Sequence, residues 1–255
     1  MLLATWNVNS IRARKDRLLA WLEKQKPDVL CLQELKCELP VLQAMELEAQ
    51  GWHVAANCQK TYNGVAILSR KPLTDVLVGM QDGEEDPQAR LVAATVDGVR
   101  VISAYVPNGQ AVGSEKYAYK LRWLERLRAY LERHCDPSQP LAVGGDYNVA
   151  PEARDVHDPA AWAEETLFHI DAREKLAALM SWGLVDAFRL HNEEAGLYSW
   201  WDYRMLGFPK NLGLRIDHVL VTKPLAARVQ GSFIDREERK GKQPSDHAPV
   251  CIQIE

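Results

Sequence analysis

Apolar, strand-like runs in this chain repeatedly stop on an amide or a carboxylate. LLATWN ends at Asn7 with Asn9 just beyond, the run from Val29 ends at Glu34, and LAVGGDYN carries Asp146 and Asn148 after two glycines. Asp217 sits inside LRIDHVLV, and Asp246 and His247 sit in PSDHAPV. A buried strand whose polar tip emerges at its end suits a sheet edge that carries a site. Gathering several carboxylates in a buried place is unfavourable unless a cation or hydrogen-bond donors compensate. Oxygen ligands with one histidine suit magnesium or manganese better than zinc.

Strand-like and helix-like patterns alternate. LLATWN is followed by helical spacing over Ile11 to Gln25, with Leu18, Leu19 and Leu22 on one face and Pro27 as the stop. Further strands are predicted at Val29 to Glu34, Gly64 to Ser69, Leu91 to Val106 turning at Asp97-Gly98, LAVGGDYN, RIDHVLV and APVCIQI. Helices are predicted over Ser114 to His134 and Ala172 to Trp182. Strand pairs joined by turns and interrupted by isolated helices indicate mixed sheets, accommodated by two sheets covered by helices. With no repeat, low-complexity tract or linker, the expectation is one domain over residues 1–255. Val78 to Gln88 and Pro151 to Ile170 read as long surface loops, which in compact domains often serve function.

The balance of 31 basic against 35 acidic residues gives no global attraction to polyanions, so any nucleic-acid binding must come from local basic surface. The five cysteines, Cys31, Cys37, Cys58, Cys135 and Cys251, are scattered and never in C-x-x-C spacing, which argues against a disulfide framework and a structural zinc site. MLLATWNVNS lacks the features of a signal peptide, and no apolar run approaches the ~18 residues of a membrane span. The expectation is a cytoplasmic protein that neither crosses a membrane nor binds one, and a monomer.

The stretches TWNVNSIRAR, LQELK, TYNGVAILSR, YVPNG, GGDYNVAP, SWGLVDAFR, SWWDYR, LGLRIDH and PSDHAPV resemble, in order and over essentially the whole chain, the exonuclease III family of class II apurinic/apyrimidinic (AP) endonucleases. That family lies within the endonuclease/exonuclease/phosphatase superfamily. The resemblance implies a DNase I-like fold, a four-layer α/β sandwich of two mixed β-sheets flanked by helices. It implies Glu34 as principal metal ligand, with Asn7, Asn9, Asp246, Asp146 and Asn148 around the same Mg2+, for which Mn2+ could substitute.

Asp146 and Asn148 match the family's catalytic pair. Chemically, Asp146 can orient and deprotonate a water, and the Asn148 amide can donate to a phosphate oxygen gaining charge. Asp217 and His247 match an Asp-His pair beside the scissile phosphate; the imidazole could be a charged stabiliser or a base, and either it or Asp146 could take the proton. Tyr105 matches a tyrosine near the phosphate, with Asn108 shaping the same wall. Taken alone, Glu34 reads more readily as a solvated salt-bridge partner, and Asp146 with Asn148 reads equally as an Asx-turn.

Candidate basic clusters for DNA are Arg12, Arg14, Lys15 and Arg17; Lys116, Lys120 and Arg122; and Arg204, Lys210 and Arg215. Of these the resemblance favours Arg12, and it adds Tyr62 at the DNA backbone. Trp200, Trp201, Leu214 and Ile216 fall in segments that form the family's pocket for an extrahelical abasic sugar, although adjacent tryptophans on a strand face opposite ways, so one of them should be core. The stretch Asp155 to Arg173 departs most from the family pattern. His169 within it is a specificity candidate, because its bulk could shift preference from internal abasic sites toward 3′ ends.

The implied activity is cleavage of double-stranded DNA 5′ to abasic sites, with 3′ to 5′ exonuclease and 3′-phosphatase or 3′-phosphodiesterase activity on blocked ends. The alternatives are a 3′-end specialist with weak AP cleavage, a superfamily hydrolase of RNA or phospholipid, and a silent DNA-binding protein. The last is disfavoured because a silent site has no reason to keep like charges together.

Overall fold

The structure is a computed structural model that describes residues 1–255. The chain runs through β1 (Leu2–Asn7), α1 (Lys15–Gln25), β2 (Val29–Gln33), α2 (Leu39–Gln43), β3 (His53–Asn57), β4 (Val65–Ser69), β5 (Thr74–Val78), β6 (Leu91–Val96), β7 (Val99–Tyr105) and α3 (Glu115–His134). It continues through β8 (Leu141–Asp146), α4 (Pro159–Trp162), α5 (Ile170–Met180), β9 (Leu184–Asp186), β10 (Trp200–Trp201), β11 (Gly213–Leu214), β12 (Asp217–Thr222), α6 (Lys223–Ala226), β13 (Val229–Ile234) and β14 (Val250–Ile254).

Two six-stranded mixed sheets, ordered β13-β14-β1-β2-β4-β3 and β5-β6-β7-β8-β12-β9, pack face to face. Between them lie Leu3, Val29, Cys31, Ile67, Val101, Ala142, Val219 and Ile252, all fully buried. Outside the first sheet Trp6, Leu30, Leu32 and Leu68 pack on Leu18, Trp21 and Leu22 of α1. Outside the second, Ile102, Ala104 and Val143 pack on Trp123, Leu127 and Leu131 of α3 and Leu176 and Leu179 of α5. Helix, sheet, sheet, helix is the expected four-layer sandwich, and strands covered on both faces explain their continuous apolar runs.

The predicted elements appear with shifted ends. Ile11 to Arg14 form turns, so α1 begins at Lys15 although Ile11 is buried. The αL conformation of Lys26 at φ 50° then ends it before Pro27. Ser114 caps α3 by accepting from the Tyr117 N–H. α5 begins at Ile170 because the His169 side chain supplies its cap. Strands β3, β5 and β13 carry no clear apolar alternation: four of the five β5 residues are exposed, and all but the first of β13 lie at least partly open. The Pro151 to Ile170 excursion holds the short α4 and returns to the body, where Ala150 donates to the Leu167 carbonyl.

Register places the site. Tyr105 on β7 pairs with Asp146 on β8, and Asp146 pairs with Asp217 on β12, so three functional side chains stand in a row across one sheet. In the other sheet Asn7 pairs with Gln33, which sets Glu34 just past the strand end. Gly145 permits the close β7-β8 approach: a Cβ there would lie 2.1 Å from the Ala104 carbonyl oxygen.

Candidate active site

The two sheet edges converge on a buried polar cluster. Ligand atoms of Glu34, Asp146 and His247 lie within 4.8 Å of one another. The Asn7 amide donates to Glu34 Oε1 and to Asp146 Oδ2, each at 2.9 Å, and so bridges the sheets. His247 Nδ1 faces both Asp217 oxygens at 2.9 and 3.0 Å, while Nε2 stands 3.7 Å from Asp146. Ser199 donates to Asp217 at 2.6 Å and accepts from the Ile216 and Asp217 N–H groups. Asn148 accepts from the Asn108 amide at 3.2 Å, and its own amide donates to the Val106 carbonyl and toward Asp146. Asp246 accepts from Asn9 and from the Trp200 indole.

Burial alone would strip the proton from His247, but Asp217, Asp146 and Asp246 outweigh it and push its pKa up to about 10. Burial pushes Asp146 up to about 7; Asp217 and Glu34 add to the rise, and His247 opposes it. Glu34 is held below its ordinary value, because Lys36 and the Asn7 amide overcome its burial. Tyr105 is raised by burial and by Glu34 and Asp146, so its phenol keeps its proton. This donor set fits a divalent cation: two carboxylates share one space, and their mutual repulsion is what a cation would relieve.

The structure brings Glu34, Asn7, Asp146, Asn148, Asp217, His247, Asn9, Asp246 and Tyr105 into this one region. The asparagines, however, present their amides to carboxylates: the Asn7 oxygen accepts from the Asn9 N–H, and the Asn9 oxygen accepts from Lys36 at 2.6 Å. In this structure they orient the carboxylates. Tyr62, Asn108 and Lys116 line a cavity of about 780 Å³ beside Tyr105, and no carboxylate lines it. Arg12 is exposed, whereas Arg204 spends its guanidinium on Asp202.

Two basic residues expected at the surface are inside. Arg215 is 1% exposed and held by Asp155 and Asp186 at 2.7 Å each, so it cannot touch DNA; it welds the strand before Asp217 to the 151–169 excursion. Lys120 is wholly buried, donating to the Asn108, Asn148 and Thr166 carbonyls. Among the pocket residues, Trp201 is core, stacked edge-on against Phe208, and Trp200 is the partly open one. Leu214 and Ile216 are buried in an apolar cluster with Val156, Leu167 and Phe168, against which Trp162 and Trp200 pack. His169 caps α5 and lies edge-on to Tyr117, 5.7 Å between ring centres.

Sequence reasoning missed Ser199, Lys36 and Arg90. Arg90 stacks over the Tyr105 ring at 4.6 Å and donates to the Tyr105 carbonyl. Ser199 directly precedes the tryptophan pair and carries no distinguishing signal. Lys36 lies within LQELK but reads as an ordinary surface charge.

A buried, cation-ready carboxylate cluster with an Asp-His pair at the meeting edges of two mixed sheets defines a metal-assisted phosphoesterase. Residues 4–247 match the model of the endonuclease/exonuclease/phosphatase family, and the chain belongs to that family as a hydrolytic phosphodiesterase. More particularly, it is 35% identical to exodeoxyribonuclease III of Haemophilus influenzae, over 98% of each chain. It is similar to a solved AP endonuclease from Archaeoglobus fulgidus, with TM-score 0.95 and 40% identity over 100% of this chain and 99% of that one. A 3′ phosphatase from Neisseria, solved bound to a product DNA hairpin, matches at TM-score 0.97 and 40% identity with the same coverage. No helix is long and apolar enough to cross a membrane.

Proposed function

We propose that this protein is an Mg2+-dependent DNA repair phosphodiesterase that cleaves 5′ to abasic sites in duplex DNA and removes nucleotides, phosphates and other blocks from 3′ ends at the same site. The observation that carries the reading is the Glu34, Asp146 and His247 cluster within 4.8 Å, with Asp217 at 2.9 Å behind the histidine. Mg2+, or Mn2+ in its place, would be held by Glu34 and Asp146 and would supply positive charge to the phosphate.

The chain's own groups divide the remaining work. Asp217 and its neighbours keep His247 protonated, so Nε2–H donates to a nonbridging phosphate oxygen. Asp146 orients the water and takes its proton as the water oxygen bonds to phosphorus and the P–O bond to the leaving oxygen breaks, the leaving oxygen then taking a proton from solvent. The Asn148 amide and the Tyr105 phenol donate to oxygens that gain charge. Lys116 and Tyr62 around the adjacent cavity, with Arg12, offer the local basic and stacking surface that the acidic whole lacks.

A second reading, a 3′-end specialist with weak AP cleavage, is favoured by the apolar cluster of Leu214 and Ile216 against which Trp162 packs and by the His169 ring beside Tyr117. An abasic sugar needs room beside these side chains, and bulk there works against it. Rates on a duplex with an internal abasic analogue and on one with a recessed 3′-phosphate test both readings. Cleavage of both supports the first, processing of the 3′-phosphate alone supports the second, and hydrolysis of RNA or phospholipid alone contradicts both. Under the second reading, His169→Gly or Trp162→Ala raises the ratio of abasic cleavage to 3′ processing; an unchanged ratio removes these residues from specificity.

A further inference from the structure

We infer that Lys120 is a positioning residue for phosphate hydrolysis: it holds the backbones of Asn108 and Asn148 so that their side-chain amides stay aligned on the phosphate side of the site. The inference rests on the hydrolytic reading above. Lys120 occupies the buried stripe of α3 between Tyr117 and Leu124, where an apolar side chain would be the ordinary solution. Its Nζ instead donates to the carbonyls of Asn148 at 2.6 Å, Thr166 at 2.7 Å and Asn108 at 3.1 Å, and it forms no ion pair. Burial draws its pKa down to about 7, but three carbonyl acceptors require all three N–H of an ammonium.

No other donor reaches any of these three carbonyls. They come from three separate segments: the YVPNG turn, the GGDYN turn and the 151–169 excursion. Without Lys120 all three would lose their partner, the buried Asn148 carbonyl among them, and the segments would lose a tie that fixes them to one another. Asn148 is already held in the left-handed region at φ 48°. Downstream of these carbonyls the Asn108 amide donates to Asn148, and the Asn148 amide donates toward Asp146. Gly109, at φ 94°, leaves the room: a Cβ there would stand 3.1 Å from Lys120 Cδ. Lys116, one turn earlier and exposed at the cavity, has the opposite character, so the two lysines predict different kinetic signatures.

The test uses the full chain with Mg2+ on the 3′-phosphate and abasic duplexes, comparing wild type, Lys120→Met, Lys120→Arg, Lys116→Met and the core variant Leu131→Ala. Lys120→Met is expected to lower kcat by ~10 to 10² with KM within about twofold, Lys120→Arg to recover part of the loss, and Lys116→Met to raise KM and flatten its salt dependence. Leu131→Ala, destabilised to a similar Tm, should keep wild-type kcat below its melting range. A Lys120→Met kcat equal to wild type, or a parallel loss of kcat and KM effect matched by Leu131→Ala, overturns the inference. If the Met variant does not fold, Lys120→Gln is expected to show a smaller kcat-selective loss, and an unchanged kcat overturns the inference equally. Silence of the wild type on both duplexes would instead refute the hydrolytic reading. In that event the NMR signals of the Asn108 and Asn148 side-chain amides decide for Lys120: displacement in Lys120→Gln is expected, and unchanged signals overturn it.

Discussion

His247 and Asp146 face each other across 3.7 Å, yet their surroundings push them into different duties. Asp217, Asp146 and Asp246 keep the imidazole charged; burial, with Asp217 and Glu34 against the pull of His247, raises Asp146 to about 7. Asp146→Asn keeps the shape and loses the base, so kcat is expected to fall by ~10² to 10⁴ with little change in duplex affinity; His247→Ala should cost a similar factor. Single-turnover cleavage checks both, and near-normal turnover in either variant would contradict the assignment. Ser199→Ala removes the donor to Asp217 and strands two buried N–H groups, an expected loss of ~1 to 3 kcal/mol seen in denaturant melts, along with part of kcat. Glu34 and Asp146 were legible because each stands where an apolar run ends, and His247 because it stands where the last one begins, where a strand delivers a side chain to an edge. Lys120 and Arg215 were misread because charge was taken as exposure. The signal that would have placed Lys120 was its period, since Tyr117, Lys120, Leu124, Leu127 and Leu131 share one helical stripe.

At the level of elements, catalysis depends on how closely strands approach. β7 and β8 run parallel in register, with Ala104 opposite Gly145 and Tyr105 opposite Asp146. Gly145→Ala must part them, because its Cβ would meet the Ala104 carbonyl at 2.1 Å. The expected cost is ~1 to 3 kcal/mol of stability together with a lowered kcat, since Tyr105 and Asp146 separate. A variant with wild-type Tm and kcat would show that the approach is looser than described. Central strands were readable from the sequence because both their faces are buried. Edge strands β5 and β13 were not, because partial exposure erases the apolar pattern that periodicity detects.

For the whole molecule, the network of Asp155, Arg189, Arg215, Asp186 and His218 ties the excursion to the second sheet and makes stability depend on acid. Burial, and then Arg215, depress His218 below its ordinary pKa. The unfolded chain therefore binds the extra proton first, and stability present above about pH 6.5 is lost as pH falls through the folded value. Asp155, held low by Arg215 and Arg189 against its burial, extends the loss below about pH 4. In EDTA, lowering the pH from 7.5 to 5 should cost wild type more Tm than it costs His218→Gln, because His218 loses stability over this range while Asp146 and His247, raised in the fold, gain it in both proteins; parallel curves would contradict the linkage. Two mixed sheets covered by helices were legible from alternating elements, and the four layers from the resemblance, whereas the apolar cluster around Leu214 was not, because Trp162 reaches it from a stretch without pattern. The most direct test of the account is cleavage of the two labelled duplexes, abasic and 3′-phosphate, by wild type and Asp146→Asn, in Mg2+ and in EDTA. The account predicts that whatever wild type hydrolyses in Mg2+ is lost in EDTA and lost in the variant, on both substrates together. Cleavage that survives EDTA, or one activity that survives Asp146→Asn while the other disappears, would contradict a single metal-assisted site.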